Sequence, residues 1–215
     1  GLGVVTSAGA FNILSEYPVK DKYRIALMGV NGRGSQHATG YARLSNSEVA
    51  FVCDVDSRAV ESGINTVMKA GQKSKPKGVA DFRTALDDKN VDAISIAAPD
   101  HWHAPAAILA LKAGKHVYVE KPGSQNPAEA ELLSKASLKY GKVVQVGNQR
   151  RSWPRVQEAI AGLHRGVIGN VYYARAWYTN NRPSIGTGKE VAVPEWLDFN
   201  LWQGPAPRRN FRDNL

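Results

Sequence analysis

A single cysteine, Cys53, stands among the 215 residues, so no internal disulfide can form. Its neighbours are apolar, and the thiol reads as part of a packed core. No apolar run reaches the about 18 residues that would suggest a spanning helix, which speaks against a membrane partner. Dense blocks of like charge are also missing. Lys and Arg outnumber Asp and Glu by 28 to 19, yet no recognition motif of the usual nucleic-acid modules accompanies the surplus. The surplus reads as charge scattered over solvated faces, part of it available to a phosphate-bearing cofactor, and no nucleic-acid partner is expected. No repeat of fixed period is visible. The sequence opens without an initiator Met: residues 1–15 are small and apolar, and residues 16–22 are polar. That order predicts the end of an export signal whose basic start is missing, and with it an exported or periplasmic location. A terminal arm on a cytoplasmic protein is the other reading.

What the sequence has instead is alternation. Apolar runs rich in β-branched residues open at Tyr23, Ser47, Val91, His116 and Lys142. Between them lie helical segments with end signals: Ser57 as N-cap of one, Asp81 capping a short one, Gly114 and Gly141 closing two others, and Pro127 in a first turn. Residues 74–78 read as a loop. Continuous rather than alternating apolar runs predict a parallel sheet buried on both faces. The expected fold is therefore α/β, a doubly wound parallel sheet of the Rossmann type. After Gln149 the texture changes. Residues 153–169 read as a helix and turn, and residues 170–179 as a longer strand with Val171, Tyr173, Arg175 and Trp177 on one face. The remainder is rich in Pro, Gly, Trp and Asn. The chain divides into an arm over residues 1–22, a sheet domain over 23–149, and over 150–215 a linking helix and the start of an incomplete α+β domain.

Three motifs fall where β-strands of such a sheet end. The first is the turn GVNGRG, holding Gly29, Asn31, Gly32, Arg33 and Gly34. Glycines there allow a tight turn and close backbone approach to a pyrophosphate, with a helix N-terminus facing the anion. Asn31 takes the place of the usual middle glycine, and Asn tolerates a positive φ better than most residues. Twenty residues after Gly34, Asp54 ends the second strand, where an acid accepts hydrogen bonds from a ribose. Asp56 can share or replace that role, or cap the next helix. An acid here disfavours a 2′-phosphate, so NAD is expected before NADP, with Arg58 as the residue that would accommodate the phosphate. The second motif, APDHWHAP, follows the third run and offers Ala98, Pro99 and His103 to a ligand, with Asp100 as a helix cap. No Cys or carboxylate cluster completes a metal site with His101 and His103, and none is expected.

The third motif is EKP. Glu120 and Lys121 end a short apolar strand, and Pro122 holds Lys121 extended. A lysine at that edge can hydrogen-bond a substrate hydroxyl and shift its proton affinity. Glu120 can hold the lysine or touch the cofactor.

Together with CDVD and VGNQRR, these motifs resemble those of the Gfo/Idh/MocA oxidoreductases, over residues 23–178. The resemblance implies a Rossmann domain that binds NAD or NADP. It places Lys121 beside nicotinamide and substrate hydroxyl, with Pro122 cis, and sets His103 and Asn148 along the cofactor. It further implies a second domain with an open antiparallel sheet that supports homo-oligomers and supplies a His, often with an Asp, as proton acceptor. No such Asp and His occur before Leu215, and His164 lies in the linking helix. The expected activity is hydride transfer between a nicotinamide and a hydroxyl carbon of a sugar or polyol, with Trp153, Trp177, Trp196 and Trp202 as sugar platforms or core. A glycoside hydrolase that oxidises its sugar transiently, and a binding module without turnover, are the alternatives.

Overall fold

Runs rich in Val, Ile, Leu and Ala, too short and too apolar for surface helices, form five of the six strands. The six are β1 (Tyr23–Met28), β2 (Ser47–Cys53), β3 (Lys77–Val79), β4 (Ala93–Ile96), β5 (His116–Glu120) and β6 (Val144–Gly147). The computed structural model describes residues 20–214; the export signal expected over residues 1–15 lies outside them. All five strand pairings are parallel, in the order β3-β2-β1-β4-β5-β6. This is the dinucleotide-fold order, in which the chain reverses its winding between β1 and β4 and opens a crevice at their carboxyl ends.

Helices α1 (Arg33–Arg43), α2 (Ser57–Lys69), α3 (Arg83–Asp87), α4 (Asp100–Lys112) and α5 (Pro127–Tyr140) link the strands. Strand residues alternate between two cores. Ile25, Leu27, Val49 and Val52 pack with Ala38 of α1 and Ala59 and Val67 of α2. Ala26, Met28, Ile94, Ile96 and Val119 face the other way, onto Phe82, Ala107, Leu111 and Leu133. Four alanines of α4, Ala104, Ala106, Ala107 and Ala110, are wholly buried, so this helix lies close on the sheet. Beyond the sheet come a 3-10 turn (Gln149–Ser152), α6 (Pro154–His164) and α7 (Phe199–Gln203).

Four sequence expectations change. Residues 77–79, the first two of which read as loop, form edge strand β3, which pairs only with β2 and is too short to leave a pattern. The cap of α2 is Asp56 rather than Ser57, because its carboxylate accepts the Arg58 N–H. Asp100 makes no cap bond; it lies in the first turn of α4, where its charge suits the helix dipole. Residues 170–179 form no strand, and Tyr172 and Trp177 are exposed. A strand needs a hydrogen-bonded neighbour, and among the described residues none pairs with this segment.

The chain after residue 190 returns to the sheet. Ser57 N donates to Trp196 O and Asp198 N to Val55 O, both at 2.9 Å. Asp198 caps α7 through the Leu201 N–H at 2.8 Å. Trp102 Nε1 then donates to Leu201 O (2.9 Å), and His101 Nε2 to Trp202 O (2.8 Å). Much of the DHWH motif is thus a staple that fastens α7 over the carboxyl edge.

Candidate functional site

The turn after β1 is built on missing side chains. Gly29 has φ of 78°, and a Cβ there would sit 2.7 Å from the Ala97 carbonyl oxygen and the Ala98 nitrogen. A Cβ on Gly34 would overlap the Gly29 carbonyl. The left-handed step falls on Gly32, at φ 49°, and not on Asn31, since no described non-glycine residue has positive φ. An adjacent glycine takes that conformation without the steric cost an Asn would bear. Helix α1 starts at Arg33 with no acid in its first turn and no side chain capping it. Its N–H groups and dipole therefore face the crevice without a resident anion.

Asp54 follows β2 and lies half-buried beside this turn. Oδ2 accepts from Val30 N at 2.9 Å and Oδ1 from Asp56 N at 3.0 Å. Burial raises its pKa above the usual carboxylate value, and the backbone N–H groups oppose that shift. Asp56 is committed elsewhere, to α2 and to the Arg58 guanidinium, whose hydrogen bonds hold its pKa low. A cavity of about 200 Å³ opens here between Gly29, Asn31, Asp54, Ala98, Pro99 and Trp202. Sequence reasoning placed the first five together; it missed that Leu201 and Trp202 wall the same cavity.

At the end of β5, Glu120 is 4% exposed. His37 Nε2 lies 3.1 Å from its Oε1, and Gln149 Nε2 donates to both oxygens at 2.9 and 3.1 Å. The Arg33 Nε stands 3.9 Å away. His37 Nδ1 meets Ser95 Oγ at 3.0 Å, and Ser95 in turn bonds Tyr41. Burial lowers the His37 pKa more than Glu120 raises it, so a neutral ring donating from Nε2 and accepting at Nδ1 satisfies every contact. Glu120 therefore holds helix α1, not the lysine ammonium. Its one bond to Lys121 is from the backbone N–H, at 3.3 Å. Lys121 itself is exposed, its ammonium makes no ion pair among the described residues, and the Lys121–Pro122 bond is cis.

His103 is 2% exposed. Nδ1 lies 2.5 Å from Pro122 O and Nε2 2.8 Å from Ala98 O. The ring is wedged between the loops after β4 and β5, so it positions the EKP loop rather than presenting an edge to the crevice. Asn148 is exposed just beyond β6, on the same sheet edge. His37, Ser95 and Gln149 were missed. Ser95 left one signal, a hydroxyl inside the apolar run of β4, and Gln149 stood next to the chosen Asn148. No group of three His, Cys, Asp or Glu side chains capable of holding a metal occurs among the described residues. Of the four tryptophans expected as sugar platforms or core, Trp196 and Trp202 pack against the sheet domain, while Trp153 and Trp177 are exposed.

A cradle cleared of Cβ atoms, an uncapped helix N-terminus, an acid after β2 and a lysine after β5 can together hold a dinucleotide and act on a hydroxyl beside it. Comparison with known proteins agrees. Residues 23–148 match the "Oxidoreductase family, NAD-binding Rossmann fold". A 4-carboxy-2-hydroxymuconate-6-semialdehyde dehydrogenase of Sphingobium sp. is 35% identical over 183 residues, which cover 85% of this chain and 56% of that one. A glycosyl hydrolase family 109 protein of Saccharopolyspora erythraea is 26% identical, over 84% of this chain and 40% of its own. Among solved structures, myo-inositol 2-dehydrogenase from Lactobacillus plantarum superposes with a TM-score of 0.63 at 25% identity, over 70% of this chain and 43% of that one. The chain spans about half the length of the curated relatives it matches. On the sheet order, the motif geometry and the match over residues 23–148, it belongs to the Gfo/Idh/MocA oxidoreductase family and carries that family's NAD-binding Rossmann domain.

Proposed function

We propose that the chain holds NAD along the carboxyl edge of the sheet and serves an oxidoreductase acting on a hydroxyl carbon of a sugar or polyol. The observation that carries this is one edge: the Gly29–Gly34 turn, Asp54 and Lys121 all lie at the carboxyl ends of parallel strands flanking the switch point. The backbone N–H groups at the start of α1 and the Arg33 side chain hold the pyrophosphate. Asp54 accepts from the adenine ribose hydroxyls. When bound, the nicotinamide supplies a hydride acceptor or donor. Lys121 hydrogen-bonds the substrate hydroxyl, stabilises the developing alkoxide and passes its proton on. Glu120 keeps the strand end rigid beneath it through His37 and Gln149.

Homo-oligomer formation and an exported location belong to the same proposal. The first is supported by exposed Tyr172, Tyr173, Trp177 and Tyr178, the second by the apolar opening over residues 1–15. Likeness to the Saccharopolyspora protein supports a second reading, glycoside cleavage with the dinucleotide retained. Net sugar release without net NADH would select it.

Thermal unfolding with NAD, NADH, NADP and NADPH tests the first step. A dinucleotide at about a hundred times its dissociation constant stabilises the native state by about 2.7 kcal/mol. A rise in Tm with the NAD pair, lost in Asp54→Ala, is expected. No rise in a folded chain, or an equal rise in the variant, would overturn the assignment of this edge.

A further inference from the structure

The loop leaving β2 carries a second acid and then a cation, and the two are bound to each other. Asp56 Oδ1 accepts from the Arg58 backbone N–H at 2.9 Å and from its Nε at 3.0 Å. Oδ2 accepts from Nη2, on the same guanidinium edge, at 2.8 Å. The guanidinium also lies over the Trp196 ring, with Cζ 3.3 Å from its centroid. Trp196 is fixed there by backbone, through Ser57 N to Trp196 O and Asp198 N to Val55 O.

The Asp56 carboxylate thus occupies the position of an anion at the N-terminus of α2. It uses the donors that a phosphate would use, a backbone N–H and the guanidinium fork. Next to it lies a cleft of about 420 Å³ whose lining includes three acids, Asp54, Glu195 and Asp198, and no Lys, Arg or His. A ribose hydroxyl entering that cleft can donate to Asp54. A 2′-phosphate would meet carboxylates, while the Arg58 guanidinium, stacked on the lining Trp196, is already neutralised by Asp56. A free Arg at this place is what accommodates a 2′-phosphate in related folds.

We propose that Asp56 is an internal anion which, together with Trp196, locks Arg58 and thereby sets cofactor choice toward NAD and away from its 2′-phosphorylated form. The inference rests on the reading above, in which the adenine ribose lies at Asp54.

Calorimetric titration of the full chain with NAD and NADP decides it, in the wild type, Asp56→Asn, Trp196→Ala and the double variant Asp56→Asn/Arg58→Ala. Asn keeps an N-cap oxygen and removes the charge. The ratio of the NADP dissociation constant to that of NAD is expected to fall at least tenfold in Asp56→Asn and to return in the double variant. Trp196→Ala should lower it by a smaller factor. An unchanged ratio in Asp56→Asn with NAD binding intact would overturn the lock alone, as would wild type that binds NADP as tightly as NAD. Wild type that binds neither would overturn the dinucleotide reading and the lock with it. Should Asp56→Asn not fold, the ratio in Trp196→Ala decides.

Discussion

Four groups converge on the Glu120 carboxylate: His37, Gln149, Arg33 and the Lys121 backbone N–H. A carboxylate this buried is tolerable only while its donors stay in place. His37 contributes a donor from 83 residues away in sequence, and its other nitrogen ties Ser95 of β4 to the same network. Deleting it leaves both Glu120 and Ser95 short of a partner. His37→Ala is expected to lower unfolding stability by about 1–3 kcal/mol, the cost of an unsatisfied buried polar group. His37→Gln, which retains a donor, should recover part of that loss. Urea unfolding of the three proteins measures both. Equal midpoints for wild type and His37→Ala would mean that Gln149, Arg33 and the Lys121 N–H satisfy the carboxylate without it.

At the scale of elements, two glycines of one helix separate packing from propensity. Both lie in α1, but a Cβ at Gly34 would run into the Gly29 carbonyl, whereas at Gly40 it would meet nothing within 4 Å. Gly34→Ala should therefore cost about 1–3 kcal/mol through forced backbone movement and abolish stabilisation by NAD. Gly40→Ala should gain roughly 0.5–1 kcal/mol with NAD stabilisation intact. Thermal unfolding with and without NAD reads both; Gly34→Ala that still responds to NAD would mean that the turn does not touch the dinucleotide. The sequence revealed this helix because its turn chemistry and apolar spacing are local. It revealed β1, β2, β4, β5 and β6 for the same reason: each is a short apolar run between helix signals. It did not reveal β3, whose Lys-Gly-Val has no pattern of its own and exists through β2. Nor did it reveal that His101 and Trp102 fasten α7, because that contact joins residues about a hundred positions apart. The strand expected over residues 170–179 failed for the converse reason, since side-chain alternation was legible but the neighbour it needs was not. The candidate site divides the same way. Residues named by turn chemistry, Gly29, Gly34 and Asp54, lie together, while His103 and Glu120 are absorbed in buried contacts that only the folded chain reveals.

Across the whole molecule, the two ends of the sheet each hold a partly buried histidine in neutral form. His37 sits under the carboxyl edge, and its pKa is lowered chiefly by burial. His116 opens β5 at the opposite end, where burial and then Lys142 lower it, and its Nδ1 accepts the Val143 N–H at 3.2 Å. An accepting nitrogen must be unprotonated, so geometry and electrostatics agree. In the unfolded chain both rings take up a proton near their ordinary value of 6.5. The folded chain resists that uptake, so the unfolded state binds more protons as pH falls below 6.5, and stability falls with it. Asp56, Asp81 and Asp92, whose pKa values are lowered, add losses of the same sign in a more acid range. Asp54, raised by burial, opposes them, because its protonation relieves a buried charge. Stability should accordingly be highest near neutral pH and decline between pH 7.5 and 5.5, a window in which the histidines dominate. His37→Gln should flatten part of that decline, though its stability at pH 7.5 is lower. Urea midpoints taken across the window test this, and a midpoint that holds constant or rises toward pH 5.5 would mean that the folded chain accepts protons on these rings as readily as the unfolded one.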